Sequence, residues 1–441
     1  MADLTRRNFV KNTAGIAAGA AVGIGALKRS TAAWAGANEK VRVCVIGLNG
    51  RGTSHIKAFS TLDDSEVVAL CDVDSEVLNK SAAKLKKATG KEPKLYADLR
   101  DVLADDSIDA ISIATPNHWH SLAAIWGCQA GKDVYVEKPL SHNVWEGRKL
   151  VEAAKAHGRI VQHGTQSRSD TIWRRDIQML HDGFIGEVHL AKGLTYKTGG
   201  RHSIGIEQPT SPPENLDWNL WQGPAEEQKY CKNYVHYNWH WFWDYGNGET
   251  GNQLVHQMDL AVWGLNAGLP TSVQSAGGRY HWKDQGETPN VQITTFGYAN
   301  GKTLVAEVRN VGSYDEAGVL VTGNTFLAEK GYYVEKKGFF DYKHNPIPVE
   351  GVKVEDREKA RETGHFGNFI DAVRSRKNED LHATALQGHV SSVHCHLGNI
   401  SYRLGRSLAF DPKTERFVND SEADAYLTRN YRSPFLIPET V

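Results

Sequence analysis

The sequence predicts an α/β protein whose first part is a doubly wound parallel sheet. Two observations carry this expectation. Short, nearly continuous apolar runs alternate with longer amphipathic stretches between residues 41 and 162, as in strands buried on both faces and joined by covering helices. A glycine-rich hexapeptide, Gly47-Leu48-Asn49-Gly50-Arg51-Gly52, stands between the first apolar run and the first helical stretch. In open α/β sheets ligands bind at such strand-to-helix turns.

The elements follow in order. Residues 41–46 form the first buried strand, and a helix begins near Thr53. Residues 66–70 form a second strand that ends at Cys71-Asp72, and 74–88 read as a helix. Residues 110–114 are a third buried strand, after which Pro116-Asn117-His118-Trp119-His120 opens a helix ending near Gly131. Residues 133–136 make the next strand. The stretch 143–157 carries Val144, Leu150, Val151 and Ala154 on one face, with Gly158 as its C-cap. Residues 159–162 resume a strand. Further on, alternation around 291–296 and 303–308 predicts antiparallel strands, and 387–404 reads as a helix.

The chain has 441 residues and a formal net charge of −1. That length predicts two or three domains. The balanced charge argues against nucleic acid or an anionic membrane surface as partner. The N-terminus departs from the rest. Thr5-Arg6-Arg7-Asn8-Phe9-Val10-Lys11 is close to a twin-arginine signal, and the Ala/Gly-rich run 12–27 is too short and too weakly apolar for a stable membrane span. Cleavage is expected at Ala33-Trp34-Ala35 or Ala35-Gly36-Ala37. The competing reading is an amphipathic or lipoprotein-like helix. Cys44, Cys71, Cys128, Cys231 and Cys395 are odd in number and lack a CxxC pair. A disulfide scaffold is therefore not expected, in keeping with folding in a reducing cytosol before export.

A tight turn with glycines lets backbone N–H groups and a helix N-terminus meet a pyrophosphate. Here the spacing is Gly47-x-Asn49-x-x-Gly52, with Asn49 in place of a second glycine; Asn tolerates left-handed geometry and Gly50 is adjacent. Asp72 lies 25 residues beyond Gly47 at a strand end, where a carboxylate holds a ribose hydroxyl and repels a 2′-phosphate. NAD is thus favoured, with NADP as the alternative because Arg51 is placed to pair with a phosphate. Glu137-Lys138-Pro139 follows a parallel strand directly. A lysine there can donate to a substrate hydroxyl and stabilise developing alkoxide charge.

The glycine loop, Cys71-Asp72-Val73-Asp74, Thr115-Pro116-Asn117-His118-Trp119-His120, Glu137-Lys138-Pro139 and the later stretch GNGETGNQLVHQMDLAVWGL together resemble the glucose–fructose oxidoreductase/inositol dehydrogenase (Gfo/Idh/MocA) family. The resemblance spans essentially the whole mature chain. It implies a Rossmann domain over 38–164, after a signal and linker over 1–37. It also implies a C-terminal α/β domain over 165–441 with a large, mostly antiparallel open sheet that serves substrate binding and homo-oligomerisation. Thr115, Asn117, His118, His120 and Glu137 are then expected beside the cofactor, and Lys138 against nicotinamide and substrate. The family's Asp-x-x-x-His pattern, with a later Asp, places the catalytic histidine at His256 and the later acid at Asp259. Where the first Asp is usual this chain has Asn252, which puts the family's proton relay in doubt.

The C-terminal part also holds an irregular stretch, 199–230, of the kind that covers sites. After it, Tyr237, Trp239, Trp241, Trp243 and Tyr245 alternate and on a strand would share one face. Trp239 and Trp241 are candidates for stacking on a sugar; packing in a sheet core or subunit interface is the competing reading. His394-Cys395-His396 lies on a helix, where neighbours point apart, so no metal is expected. The run 355–361 reads as a solvated helix face.

Export poses a chemical demand. Outside the cytosol there is no pool of free NAD to recycle, whereas twin-arginine export by its translocase lets a folded protein carry cofactor to the periplasm. Each turnover must then restore that cofactor. Paired oxidation and reduction of carbohydrates satisfies this demand. So does redox-neutral glycoside cleavage through a transient keto-sugar. The third reading is a non-catalytic dinucleotide- or sugar-binding protein.

Overall fold

A computed structural model of the chain describes residues 39–196, 201–312, 322–349 and 364–441. The signal segment and the charged run 355–361 lie outside the described residues. The first part runs β1 (Val41–Ile46), α1 (Arg51–Thr61), β2 (Ser65–Cys71), α2 (Ser75–Thr89), β3 (Lys94–Tyr96), α3 (Leu99–Ala104), β4 (Ala110–Ile113), α4 (Asn117–Gln129), β5 (Asp133–Val136), α5 (Val144–Ala156) and β6 (Val161–His163). These six strands form one parallel sheet in the order β3-β2-β1-β4-β5-β6. The order reverses between β1 and β4, which opens a crevice at their carboxyl ends.

Local chemistry explains the boundaries. β4 and β5 are buried throughout, as their unbroken apolar character requires. Asp74 caps α2 by accepting from the backbone N–H of Glu76 and Val77, and Gly90 closes it in the left-handed region. Asn143 caps α5. That helix ends one residue before the expected glycine: His157 is its C-cap, and Gly158 supplies the left-handed residue just beyond.

The second part contains α6 (Thr171–His181), β7 (Val188–Tyr196), α7 (Trp218–Gln222), α8 (Val255–Leu265), β8 (Ser272–Gly278), β9 (Val291–Gly297), β10 (Thr303–Arg309), β11 (Thr322–Ala328), β12 (Gly331–Val334), β13 (Gly338–Asp341), β14 (Pro346–Ile347), α9 (Gly364–Ser375), α10 (Ala385–Leu404), β15 (Leu408–Asp411), β16 (Arg416–Phe417) and α11 (Ser421–Asp424). Among the described residues ten strands make one sheet, β14-β13-β12-β11-β7-β10-β9-β8-β15-β16. Within it β7 and β10 pair in parallel and the other described pairs are antiparallel.

One face of this sheet packs on α8 and α10, where Phe296, Phe326, Met258 and Val393 share a core. The opposite face leaves Ile293, Thr295 and Lys192 exposed. The two parts interlock. Helix α9 buries Phe369, Ile370 and Val373 against Val43, Leu70 and Tyr135 of the parallel sheet. Phe435, near the C-terminus, joins Trp119 and Ile125.

The aromatic stripe at 237–245 is not a strand. Asn238–Trp241 form a 3-10 helix followed by turns. Trp239, Phe242 and Tyr245 pack with Leu216, Trp221 and Tyr230 in a cluster of their own. Hydrogen bonds three residues apart, such as Phe242 N–H to Trp239 O, replace the ladder an extended segment would need.

Candidate active site

A cavity of about 360 Å³ lies over the carboxyl ends of the parallel strands, between the glycine loop and the second part of the chain. Gly47, Gly50, Asp72, Thr115, Asn117 and Lys138 line it from one side, and Trp221, His236, Tyr237, Trp239, His240 and Asn252 from the other.

The loop is built by backbone necessity. Gly47 has φ +81°, and a Cβ there would meet the Ala114 carbonyl at 2.8 Å. At Gly52 a Cβ would lie 1.9 Å from the Gly47 oxygen, so Gly52 closes the turn without lining the cavity. Gly50 takes the left-handed geometry at the start of α1. Asn49 is exposed on the loop and is not among the residues of positive φ, so the expected left-handed Asn is not what permits this turn.

Asp72 accepts from Leu48 N–H (2.7 Å) on one oxygen and from Asp74 N–H (3.0 Å) on the other. Burial raises its pKa, and the two backbone bonds oppose that shift. Each oxygen retains a lone pair, which suits a ribose diol. Arg51 is held elsewhere: its Nε donates to Glu137 at 2.8 Å. That pairing draws it away from the expected role of binding a 2′-phosphate.

Glu137 is also committed to protein partners. One of its oxygens takes Arg51, His55 Nε2 (3.0 Å) and Gln166 (3.1 Å), and the basic neighbours hold its pKa well below the ordinary value despite burial. Its other oxygen accepts the Lys138 N–H at 3.2 Å, and Glu137 lines the cavity beside Lys138.

His120 ties the ends of β4 and β5 together, with Nδ1 on the Pro139 carbonyl (2.6 Å) and Nε2 on that of Thr115 (2.9 Å). His118 turns away from the cavity, contrary to expectation. Its Nε2 meets the Trp221 carbonyl at 2.9 Å and its ring packs on Trp221 and Tyr245. Thr115 Oγ1 and Asn117 Oδ1 are buried with no protein partner. Two orphaned polar atoms beside a glycine turn, with Asp72 at one end, fit a dinucleotide whose polar groups would complete them.

Lys138 is half-buried and donates to the Asn252 carbonyl (2.5 Å), with the Asn252 side-chain oxygen at 3.4 Å. Burial lowers its pKa, and Glu137 and Glu249 raise it in part. Asn252 lies on a π-helical turn, 250–254, and its amide donates to Glu249 at 3.2 Å. Glu249 in turn pairs with Arg201 at 3.2 Å. A carboxylate thus lies one turn before position 252, buried behind the cavity lining rather than in it.

His256 is half-buried on α8 and is not among the lining residues. Burial and Lys138 lower its pKa to about 4. Asp259 is not a substrate group. It is fully buried, its two oxygens share the Nε–H of Arg168, and it accepts from the Ser391 hydroxyl. Trp239 lines the cavity, whereas Trp241 does not; it sits under the Arg201 guanidinium.

The sequence reading missed His236, His240, Trp221 and Glu249; Tyr237 was part of the aromatic stripe it singled out. Glu249 sits in the quoted stretch, three residues before Asn252, where one helical turn would place both on one face. His240 stands in the middle of the aromatic stripe. His394, Cys395 and His396 reach three different partners, Tyr298, the Thr250 carbonyl and Ser141.

Residues 41–165 match the family described as an oxidoreductase family with an NAD-binding Rossmann fold, and residues 187–437 match that family's C-terminal α/β domain. The chain belongs to the Gfo/Idh/MocA oxidoreductase family. Its first domain is accordingly an NAD-binding one.

Curated relatives named glycosyl hydrolase family 109 protein include one from Saccharopolyspora erythraea, 31% identical over 164 residues, covering 36% of this chain and 35% of that protein. Another, from Stenotrophomonas maltophilia, is 28% identical over 330 residues, 69% of each chain. The chain thus spans about a third of the length of the former and two thirds of the latter. Among solved structures, the WlbA dehydrogenase from Bordetella pertussis, in complex with NADH and UDP-GlcNAcA, superposes with TM-score 0.60 at 21% identity, over 85% of this chain and 99% of that one. The scyllo-inositol dehydrogenase from Lactobacillus casei gives 0.57 at 14%, over 84% and 98%. These two share the fold.

Proposed function

We propose that the protein is an exported NAD-dependent oxidoreductase that acts on a sugar or polyol hydroxyl and keeps its own cofactor through the cycle. The observation that carries this reading is a clasp at the ribose end of the cavity. Asn215 accepts from Ser75 N–H (2.8 Å) and its amide donates to Asp74 (2.9 Å). Asp217 N–H donates to the Val73 carbonyl (2.9 Å), and His236 Nε2 pairs with Asp74 (3.1 Å). The segment from the second part of the chain is therefore pinned beside Asp72. A dinucleotide seated there could leave only after these contacts opened, which suits a protein working where free NAD is absent.

Bound NAD supplies a hydride acceptor and donor. Lys138, half-buried just past the end of β5, is placed to hold a substrate hydroxyl and favour negative charge on it. Tyr237, Trp239 and Trp221 offer aromatic faces to the apolar side of a sugar ring. The family 109 relatives favour a second reading of the same site, redox-neutral glycoside cleavage through a keto-sugar. Both readings need a retained cofactor. Twin-arginine export to the periplasm belongs to the proposal through Arg6 and Arg7. No helix among the described residues is long and apolar enough to cross a membrane.

The test begins with protein purified from the exported fraction without added nucleotide, then denatured. Near-stoichiometric NAD is expected, and His236→Ala is expected to shed it during gel filtration. An empty wild-type protein would overturn the proposal. With loaded protein, a nicotinamide absorbance change on adding sugar alone indicates oxidation, and aglycone release without net change indicates cleavage.

A further inference from the structure

We propose that a second cavity, separate from the active site, binds a neutral sugar or polyol ring. Its volume is about 280 Å³, and it shares no lining residue with the cavity over the parallel strands. The segment 239–252 divides the two. Trp239, His240 and Asn252 line the first, and Trp243, Asp244 and Asn247 line the second.

The floor of the second cavity is polar and deeply buried. His142 and Asn143 come from the start of α5, His396 and Asn399 from α10, and Asn247 from the dividing segment; none is more than 9% exposed. Around this floor lie buried atoms with no protein partner among the described residues: Nε2 of His142, Oδ1 of Asn247, and both Nε and Nη2 of Arg429. The side chains that carry two of these groups are fixed at their other ends. Asn247 Nδ2 donates to the His142 carbonyl (3.0 Å), and Arg429 Nη1 donates to the Asp244 carbonyl (2.8 Å). Buried polar atoms are costly to leave unpaired, so a cluster of them around one cavity marks a place that a polar occupant completes.

The mixture of groups selects the occupant. Arg429 offers donors and Asn247 an acceptor. His142 is neutral, because burial and the Arg429 charge hold its pKa well below the ordinary value, and a neutral ring serves as donor or acceptor. His396 is neutral too, its pKa lowered to about 3 by burial and His389. A hydroxyl donates and accepts at once, so neighbouring hydroxyls of one ring match all of these groups. An anion would match only arginine. It would also meet the bare Asn247 oxygen and the carboxylates of Asp244 and Glu226 in the wall. Those carboxylates suit hydroxyl donors. At the exposed mouth Arg403 lies over the rings of Trp243 (5.0 Å) and Tyr426 (4.6 Å). Small-molecule sites run upward from about 300 Å³, so this volume suits a single ring rather than a sugar nucleotide. Ordered water is the competing occupant, and the test separates the two.

The probes are glucose, galactose and myo-inositol, with inorganic phosphate as the anionic comparison. Two variants of the purified protein are used. Arg429→Met removes both bare donors. Ala425→Trp fills the mouth from an exposed position and leaves every floor group in place, so it serves if Arg429→Met fails to fold. Crystals soaked with the probes should show one of the rings in the second cavity, with hydroxyls at hydrogen-bond distance from Arg429 and Asn247. Calorimetry should show a binding step for that ring in solution. Arg429→Met should weaken the step by about 10–100-fold, and Ala425→Trp should remove it.

Only water in the cavity after all three soaks would overturn the proposal. So would phosphate there in place of a ring, or binding at crystal concentration only, with no solution step that the variants weaken. Neither readout requires bound NAD or turnover, so this proposal and the oxidoreductase reading fail separately.

Discussion

Replacing Asp259 by Asn should weaken the fold far more than the chemistry. Asp259 lies on α8 and receives Arg168 Nε on both oxygens, at 3.0 and 2.8 Å, plus the Ser391 hydroxyl from α10. The two charged side chains are 5% and 1% exposed, so no solvent replaces a lost partner. Breaking a buried pair by removing one charge costs about 3–5 kcal/mol, because the other charge is left uncompensated. Asn still offers one acceptor oxygen, which puts the expected loss at the lower end, about 3 kcal/mol.

The matched C-terminal domain spans residues 187–437, and in domains of this size each kcal/mol moves the melting temperature by about 2–4 °C. A drop of about 6–12 °C in a calorimetric scan is expected. Turnover measured well below that transition should change little, since Asp259 does not reach the cavity. The variant should also lose part of the wild-type acid sensitivity. Burial raises the Asp259 pKa, but the Arg168 charge and the hydrogen bonds from Arg168 and Ser391 outweigh it and hold the pKa below its ordinary 3.8 in the folded state. Its stabilisation is therefore present above that value and disappears as pH falls through the depressed folded pKa. A melting temperature within a degree or two of wild type, or a collapse of turnover in a stable variant, would refute the assignment of Asp259 to the fold.

Other perturbations separate the parts of the site. Gly47→Ala should yield a folded protein without NAD, because the new Cβ would meet backbone at 2.8 Å under a left-handed φ; a nucleotide-loaded variant would contradict the proposed loop geometry. Asp72→Ser should relax discrimination between NAD and NADP, read as the ratio of their affinities in apo protein; an unchanged ratio would mean the ribose contact lies elsewhere. Asn252→Asp should reduce turnover, since a carboxylate would replace the amide that now donates to Glu249 at 3.2 Å. Adding Glu249→Gln to that variant should recover activity, and failure of the pair to recover would mean that the two positions do not share one charge.

The sequence by itself determined the parallel sheet, the glycine turn, the acid at the end of β2 and the lysine at the end of β5. All of these are encoded locally. A short, largely apolar run bounded by turn residues suits a strand buried on both faces, a turn with no room for Cβ demands glycine, and a strand end in an open sheet opens onto the ligand crevice. The notable failure, the stripe from Tyr237 to Tyr245, was also local in form. Its period of two is that of a strand, but its aromatic rings bury one another around Trp221, and among the described residues it forms a 3-10 helix and turns instead.

Only the tertiary structure decided which polar groups share the cavity. Lys138 and Asn252 are 114 residues apart, and Arg168 and Asp259 are 91 apart. No periodicity links such positions: the first contact depends on how two domains close on each other, and the second on how helices within the second domain pack. That closure hides His118 against Trp221 and brings Lys138 to Asn252, while packing within the second domain buries Asp259 on Arg168 and Ser391. The motifs mark where chemistry is concentrated. The closure of the chain selects which side chains are free to perform it, because burial with a partner occupies one imidazole and leaves another with an open lone pair.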